Sequence, residues 1–149
     1  MKKLLIAASL LVSSIAFTQD YSDSSVTYTF VHTKTLERWV LFYINEERTK
    51  LGLDTFNVDL VIDKMAKDHS KWMARNNKLQ HSGLNIRENI QNTIAPCYTH
   101  KHLAYCIVRA WIKSPGHYEA IQNPKYKTIG VGASVNKIKF GIYYTTTFR

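Results

Sequence analysis

The stretch WIKSPGHYEAIQNP, residues 111–124, delivers a single imidazole, His117, directly after a Ser-Pro-Gly turn. Ser114 suits a helix cap, and Pro115 suits the first helical position, where its missing N–H costs nothing. His117 then falls in the first turn of a short helix that Asn123-Pro124 ends. A histidine so placed either fills space or is aimed at a metal, a proton or a ligand. A second cluster, CYTHKHLAYC, spaces Cys97, His100, His102 and Cys106 as Cys-x2-His-x-His-x3-Cys, a set that could hold zinc. Two histidines two apart share a direction only on a strand or loop, so a Cys97–Cys106 disulfide and free thiols stay open beside the metal reading. The chain has no His-Glu-x-x-His and no Gly-x-Ser-x-Gly, and Ser134 lacks a triad pattern. Paired cysteines would be poor nucleophiles.

Compartment bears on that choice. Lys2 and Lys3, the apolar run Leu4–Val12, and small residues at Ser14 and Ala16 read as a secretory leader over residues 1–16. The run is shorter than the ~20 residues of a membrane span, and no later segment is long and apolar enough to cross a bilayer. The expectation is an exported protein, extracellular or periplasmic and bacterial in style, in which oxidation favours the disulfide. Losing Lys2 and Lys3 takes the formal charge from +9 to +7. That excess suits loose association with anionic envelope polymers. The basic residues are scattered and no nucleic-acid motif is present, so specific nucleic-acid binding is not expected.

The elements that must position these groups follow from periodicity. Residues 17–34 form a lead-in, with Val26, Tyr28 and Phe30 alternating as in an extended edge. From Thr35, Leu36, Val40, Tyr43 and Ile44 mark a helix with Glu37 in its first turn, stopped by Gly52. A second helix spans about 58–76, with Ile62, Met65, Ala66, His69, Trp72 and Met73 as its apolar stripe. His69 reads there as a hydrogen-bonded core histidine. A polar loop then carries His81, and IRENIQ reads as a short helical turn carrying Glu88. A third helix covers about 101–113 on Leu103, Ile107 and Trp111. Two strands, KTIGVGASV and KIKFGIYYTTTF, flank a turn at Asn136-Lys137. Helices first and a hairpin last give an α+β domain with an antiparallel sheet.

Motifs in this order resemble the CAP superfamily (cysteine-rich secretory proteins, antigen 5 and plant pathogenesis-related proteins), or SCP domain. INEERTKLGL is similar to the end of the family's first helix, and MAKDHSKWMARNNKLQHSG to its second helix and histidine loop. RENI resembles Gly-Glu-Asn-Ile, with Arg87 in place of the glycine. AWIKSPGHYEAIQNPKYKTIGVG resembles the bacterial branch's Trp-x-x-Ser-Pro-Gly-His-x-x-x-Ile-x-Asn-Pro. The resemblance covers about 35–148, and implies an α-β-α sandwich with a small antiparallel sheet between helices over a domain at 35–149.

It also implies a cavity lined by two histidines and two acids, associated with zinc or another divalent cation. Carried over, these are His81, His117 and Glu88, with Ser114 standing where the second acid is expected and Tyr118 beside it. Two histidines and one carboxylate would leave an open coordination position, or they would clasp helices together by hydrogen bonds. Binding fits better than catalysis, since no general base is evident. The ligand class implied is a lipid, a glycan or a protein surface. A zinc-dependent, protease-like hydrolase and an envelope-associated accessory protein are the alternatives.

Overall fold

The computed structural model describes residues 31–94, 99–139 and 141–149. The expected leader, the lead-in strand, Cys97 and Phe140 lie outside the described residues. In chain order the elements are α1 (Thr33–Lys50), β1 (Asn57–Val58), α2 (Leu60–Asn76), β2 (Arg87–Ile94), α3 (His100–Lys113), α4 (Pro115–Gln122), β3 (Thr128–Asn136) and β4 (Gly141–Phe148).

The sheet runs β1-β3-β4-β2. β4 pairs antiparallel along its length with both β2 and β3. The sheet is mixed rather than wholly antiparallel, because β1 joins β3 in parallel at Asn57↔Thr128 and Val58↔Ile129. α2 covers one face, while α1, α3 and α4 cover the other. This is the α-β-α arrangement the resemblance implied. As the central strand with a helical layer on each side, β4 is buried at all eight positions. A hydrophobic-in, polar-out alternation does not describe it.

The main core lies on the α1/α3/α4 face. Leu36, Val40 and Ile44 of α1 meet Leu103, Ile107 and Trp111 of α3 over Ile129, Ile142 and Phe148. A smaller cluster of Met73, Ala74, Ile90 and Tyr143 lies under α2. α2 begins at Asp59, whose side chain accepts from the Val61 and Ile62 amides, a cap that satisfies two orphan donors. Its buried face is Ile62, Ala66, Ser70, Met73 and Ala74. The expected stripe is therefore rotated: Met65 and Trp72 are exposed, and His69 is half-buried, stacked on Trp72 with Nε2 2.7 Å from the Gln80 carbonyl oxygen. Small residues face the sheet because α2 sits almost in contact with the β3 backbone at Gly130 and Gly132.

β1 covers only the start of β3. Beyond it, the amides of Val131 and Ala133 would be bare at the sheet edge, and side chains take them up instead. Val131 donates to Asp63 Oδ1 at 3.1 Å and Ala133 to Glu37 Oε1 at 3.0 Å. Lys67 bridges the two carboxylates, 2.5 Å from Asp63 and 3.6 Å from Glu37. Glu37 thus serves the strand edge and not the helix dipole. α1 starts at Thr33, which moves Glu37 out of the first turn.

Burial lifts the Glu37 carboxyl above its ordinary 4.5, against the Ala133 amide and Lys67, which pull it down; Asp63 adds a smaller upward push. The folded chain therefore holds this proton more tightly than the unfolded chain. The group's stabilising contribution is full below about pH 4.5 and is lost as pH rises through the folded value. Glu37→Gln keeps an acceptor for Ala133 and removes the titration. Its urea-unfolding free energy is expected to gain on the wild type between pH 4 and 7. A gap that narrows over that range would show that the Lys67 pairing outweighs burial.

Candidate functional site

Residues 87–94 form an edge strand where the sequence pattern suggested a helical turn. Full pairing with β4, from Arg87↔Phe148 to Ile94↔Gly141, overrides the local preference. This correction matters because successive strand residues face opposite ways. Glu88 turns toward the loop after α2, while Arg87 and Asn89 turn toward α4.

On the first side, Glu88 is buried, and its Oε2 accepts from the Ser82 amide at 3.0 Å and meets His81 Nδ1 at 3.3 Å. The His81 side chain is 62% exposed, so its ring is held at one edge and open at the other. The loop reaches this geometry through Gly83, whose φ of +75° disfavours a side chain.

On the second side, α4 starts at Pro115 directly after Ser114, as the sequence predicts. The Ser114 hydroxyl makes no cap hydrogen bond. It lies 2.8 Å from His117 Nδ1 instead. The His117 ring stacks on Trp111, with centroids 6.4 Å apart. Asn89 fixes the backbone by donating to the His117 carbonyl at 2.9 Å. Asn89 Oδ1 and Trp111 Nε1, both buried, find no partner among the described residues. Burial holds the His117 pKa below its ordinary 6.5, the charges of His81 and Arg87 act in the same direction, and the Ile90 backbone opposes them. His117 therefore titrates as an imidazole biased toward the neutral form.

His81, Glu88, Ser114 and His117 thus gather around the β2 edge, with no hydrogen bond joining the two histidines. Tyr118 goes elsewhere: its hydroxyl donates to Glu47 of α1 at 2.9 Å, and its ring packs on the main core. Glu119 meets Arg87 at 3.4 Å. His100 and His102 lie in the first turn of α3, where His100 Nε2 accepts from the His32 amide at 2.9 Å. Cys106 is exposed on α3, and its expected partner Cys97 is outside the described residues.

Arg87 is the group that residue patterns did not single out. It donates to the Gly116 carbonyl and reaches Glu119, which puts a guanidinium beside the start of α4. Its only sequence signal was its departure from the motif's glycine. Beyond Arg87, a groove of about 790 Å³ runs past Val61, Met65, Leu84 and Ile86 to Arg149.

A divalent ion fits this site poorly. Among the described residues no three His, Cys, Asp or Glu side chains converge as a metal-holding group. Both rings are held at Nδ1, His81 by the Glu88 carboxylate and His117 by the Ser114 hydroxyl, so a neutral group stands where a second carboxylate would balance the charge of an ion.

Comparison with known proteins follows the same outline. The profile of the cysteine-rich secretory protein family matches residues 41–148. The uncharacterized protein YkwD of Bacillus subtilis (strain 168) is 28% identical over 110 residues, 64% of this chain and 41% of that protein. The chain therefore spans about two fifths of that relative's length. An outer surface protein from Borrelia burgdorferi superposes with a TM-score of 0.66 at 21% identity, covering 80% of this chain and 96% of the other. NaASP2, solved with Zn2+, gives 0.64 at 14% identity over 78% and 80%. An extracellular SCP-domain protein from Bacillus anthracis gives 0.59 at 18% over 78% and 41%. These structures share the fold, and the profile match, covering most of the chain, shows that it belongs to the cysteine-rich secretory protein (CAP) family.

Proposed function

We propose that this chain is an exported CAP-domain binding module whose ligand lies along the groove beside the His81–Glu88–His117 cleft. The observation that carries this reading is the exposed apolar wall of the groove, where Val61 is 60% and Leu84 53% exposed beside Met65. Contiguous apolar surface next to charged groups is how binding sites differ from ordinary surface. The polar groups of the cleft are spent on the fold itself: Glu88 on Ser82, Ser114 on His117, Asn89 on the α4 backbone. That supports a clasp that shapes a binding surface over a hydrolase with a free nucleophile and base.

A lipid, glycan or protein surface would each find apolar contact there. The formal charge of +7 left once Lys2 and Lys3 are removed from the +9 of the full chain (9 − 2) suits retention on anionic envelope polymers. Among the described residues no helix is long and apolar enough to cross a membrane.

Titration with 1-anilinonaphthalene-8-sulfonate, an apolar probe with an anionic group, tests the groove. Saturable fluorescence enhancement is expected, weakened roughly 10-fold in Val61→Asp/Leu84→Asp, since burying a charge against an apolar probe is costly. Both positions are exposed, so the fold tolerates the change. Equal enhancement by the variant, or none by the wild type, would sink the reading. So would chelator-sensitive cleavage of casein that His117→Ala abolishes.

A further inference from the structure

We propose that Arg87 is the fixed cation of the histidine cleft, and that Arg87 and Ser114 together are the two residues that close His81 and His117 to divalent metal.

The guanidinium is anchored, not loose. It donates to the carbonyl of Gly116, one residue before His117, and pairs with Glu119 at 3.4 Å. The Arg87 side chain is 36% exposed, so water screens it only in part. Its position on β2 is set by pairing with Phe148, and the next residue is Glu88. Any ion lying between His81 and His117 would therefore share its surroundings with a permanent positive charge.

Of the two carboxylates near the guanidinium, Glu88 meets His81, while Glu119 is 69% exposed and paired with Arg87. Arg87 takes up one of these two negative charges, which leaves a single carboxylate to attract a 2+ ion. Ser114 adds to the effect from the other side. Its hydroxyl, 2.8 Å from His117 Nδ1, stands where a carboxylate would both ligate and neutralise. The histidines alone offer two neutral nitrogens, short of the three protein ligands that an open zinc site uses. The geometry makes the cleft a place where Arg87 already performs a metal's electrostatic task, holding carbonyl and carboxylate groups of α4 against β2.

Zinc alone, in equilibrium dialysis with metal analysis of the mature protein, tests this. Wild type is expected to bind zinc weakly. Arg87→Gly should tighten binding roughly 10-fold, and Arg87→Gly/Ser114→Asp roughly 100-fold, the range that charge and ligand changes around a metal produce. Aspartate also suits the cap position of α4. Adding His81→Ala to the double variant should abolish the gain, which places the ion in the cleft. Because glycine on a strand can weaken the fold, Arg87→Gln serves as a second route, with near-ultraviolet circular dichroism confirming native packing.

Wild-type zinc binding as tight as the double variant's, and lost with His81→Ala/His117→Ala, would overturn the proposal. A folded double variant with no gain would overturn it equally. These outcomes are independent of whether the groove takes an apolar probe, so the two readings fail separately.

Discussion

Replacing Arg48 with methionine is expected to cost about 3–5 kcal/mol of stability, lowering the melting temperature by on the order of 10–20 °C. Arg48 has no exposed surface, although its neighbours in sequence, Asn45-Glu-Glu-Arg-Thr-Lys50, read as the wet end of α1. Its Nε donates to the Asp54 carbonyl at 2.6 Å. Its terminal nitrogens donate to the carbonyls of Ile121 at 2.7 Å, Asn123 at 3.1 Å and Tyr126 at 3.3 Å. The guanidinium lies 3.8 Å over the Phe56 ring.

One side chain thus satisfies four backbone acceptors that lie at or beyond the ends of regular elements. Methionine would fill much of the volume and leave those carbonyls unpaired, at about 1 kcal/mol each or more. The loss reaches the site, since residues 121–126 hold the end of α4 and hence the position of His117. Arg48→Lys is expected to recover only part of the stability, because an ammonium cannot fork to so many acceptors. Thermal unfolding followed by circular dichroism checks both. A methionine variant melting within a few degrees of wild type would mean that other groups or water replace the arginine.

Gly132→Ala is the other large expected loss, at least about 3 kcal/mol and enough to empty the soluble fraction. A methyl group at Gly132 would collide with the backbone of Ala66 and Lys67, and one at Gly130 with Ile62 and Asp63. These obstacles are backbone atoms of α2, so no rotamer change relieves them and the whole helix must lift. Lifting α2 moves the His81 loop that follows it and opens the Asp63 and Lys67 contacts with β3. Gly116→Ala is the matched control: nothing lies within 4 Å of a methyl group there, and a change under about 0.5 kcal/mol is expected. Urea midpoints and soluble yield read both variants. A Gly132→Ala protein with a normal midpoint would show that α2 can shift at little cost.

Much of the layered plan could be read from periodicity. The buried faces of α1 and α3 fall where Leu36, Val40 and Ile44, and Leu103, Ile107 and Trp111, repeat at helical spacing. The β3–β4 hairpin also sits about where alternation and Asn136 suggest. Asn136 Oδ1 accepts from the Ile138 and Lys139 amides at 2.9 Å each.

Local pattern failed where the decisive partner is distant in sequence. β2 is a strand because β4 lies beside it, some fifty residues later, and a six-residue window holds no trace of that. β1 is two residues long and too short for any period. The face of α2 was misjudged because close approach to two glycines makes Ser70 and Ala74 the inward residues and leaves Met65 and Trp72 outside.

For the candidate site, motif order named His81, Glu88 and His117, whereas it gave no sign of the separate hydrogen-bond partners that the structure gives them. Tyr118 is the converse case: its neighbour His117 is at the cleft, yet one residue along a helix turns the side chain by about 100°, to Glu47 on the far element.

The carboxylates along the edge of β3 have a consequence for how copies of this protein meet one another. A strand at a sheet border normally offers its amides to any passing extended chain, and that is how folded domains come to join sheets and aggregate. Here the two amides nearest the end of β1 are already answered from within the molecule, by side chains of α1 and α2 that Lys67 holds in place. A neighbouring chain would have to displace two carboxylates and a lysine to add a strand at that point. The border of the sheet is thereby made self-sufficient there, and a high local concentration of the protein would not recruit this edge into a shared sheet.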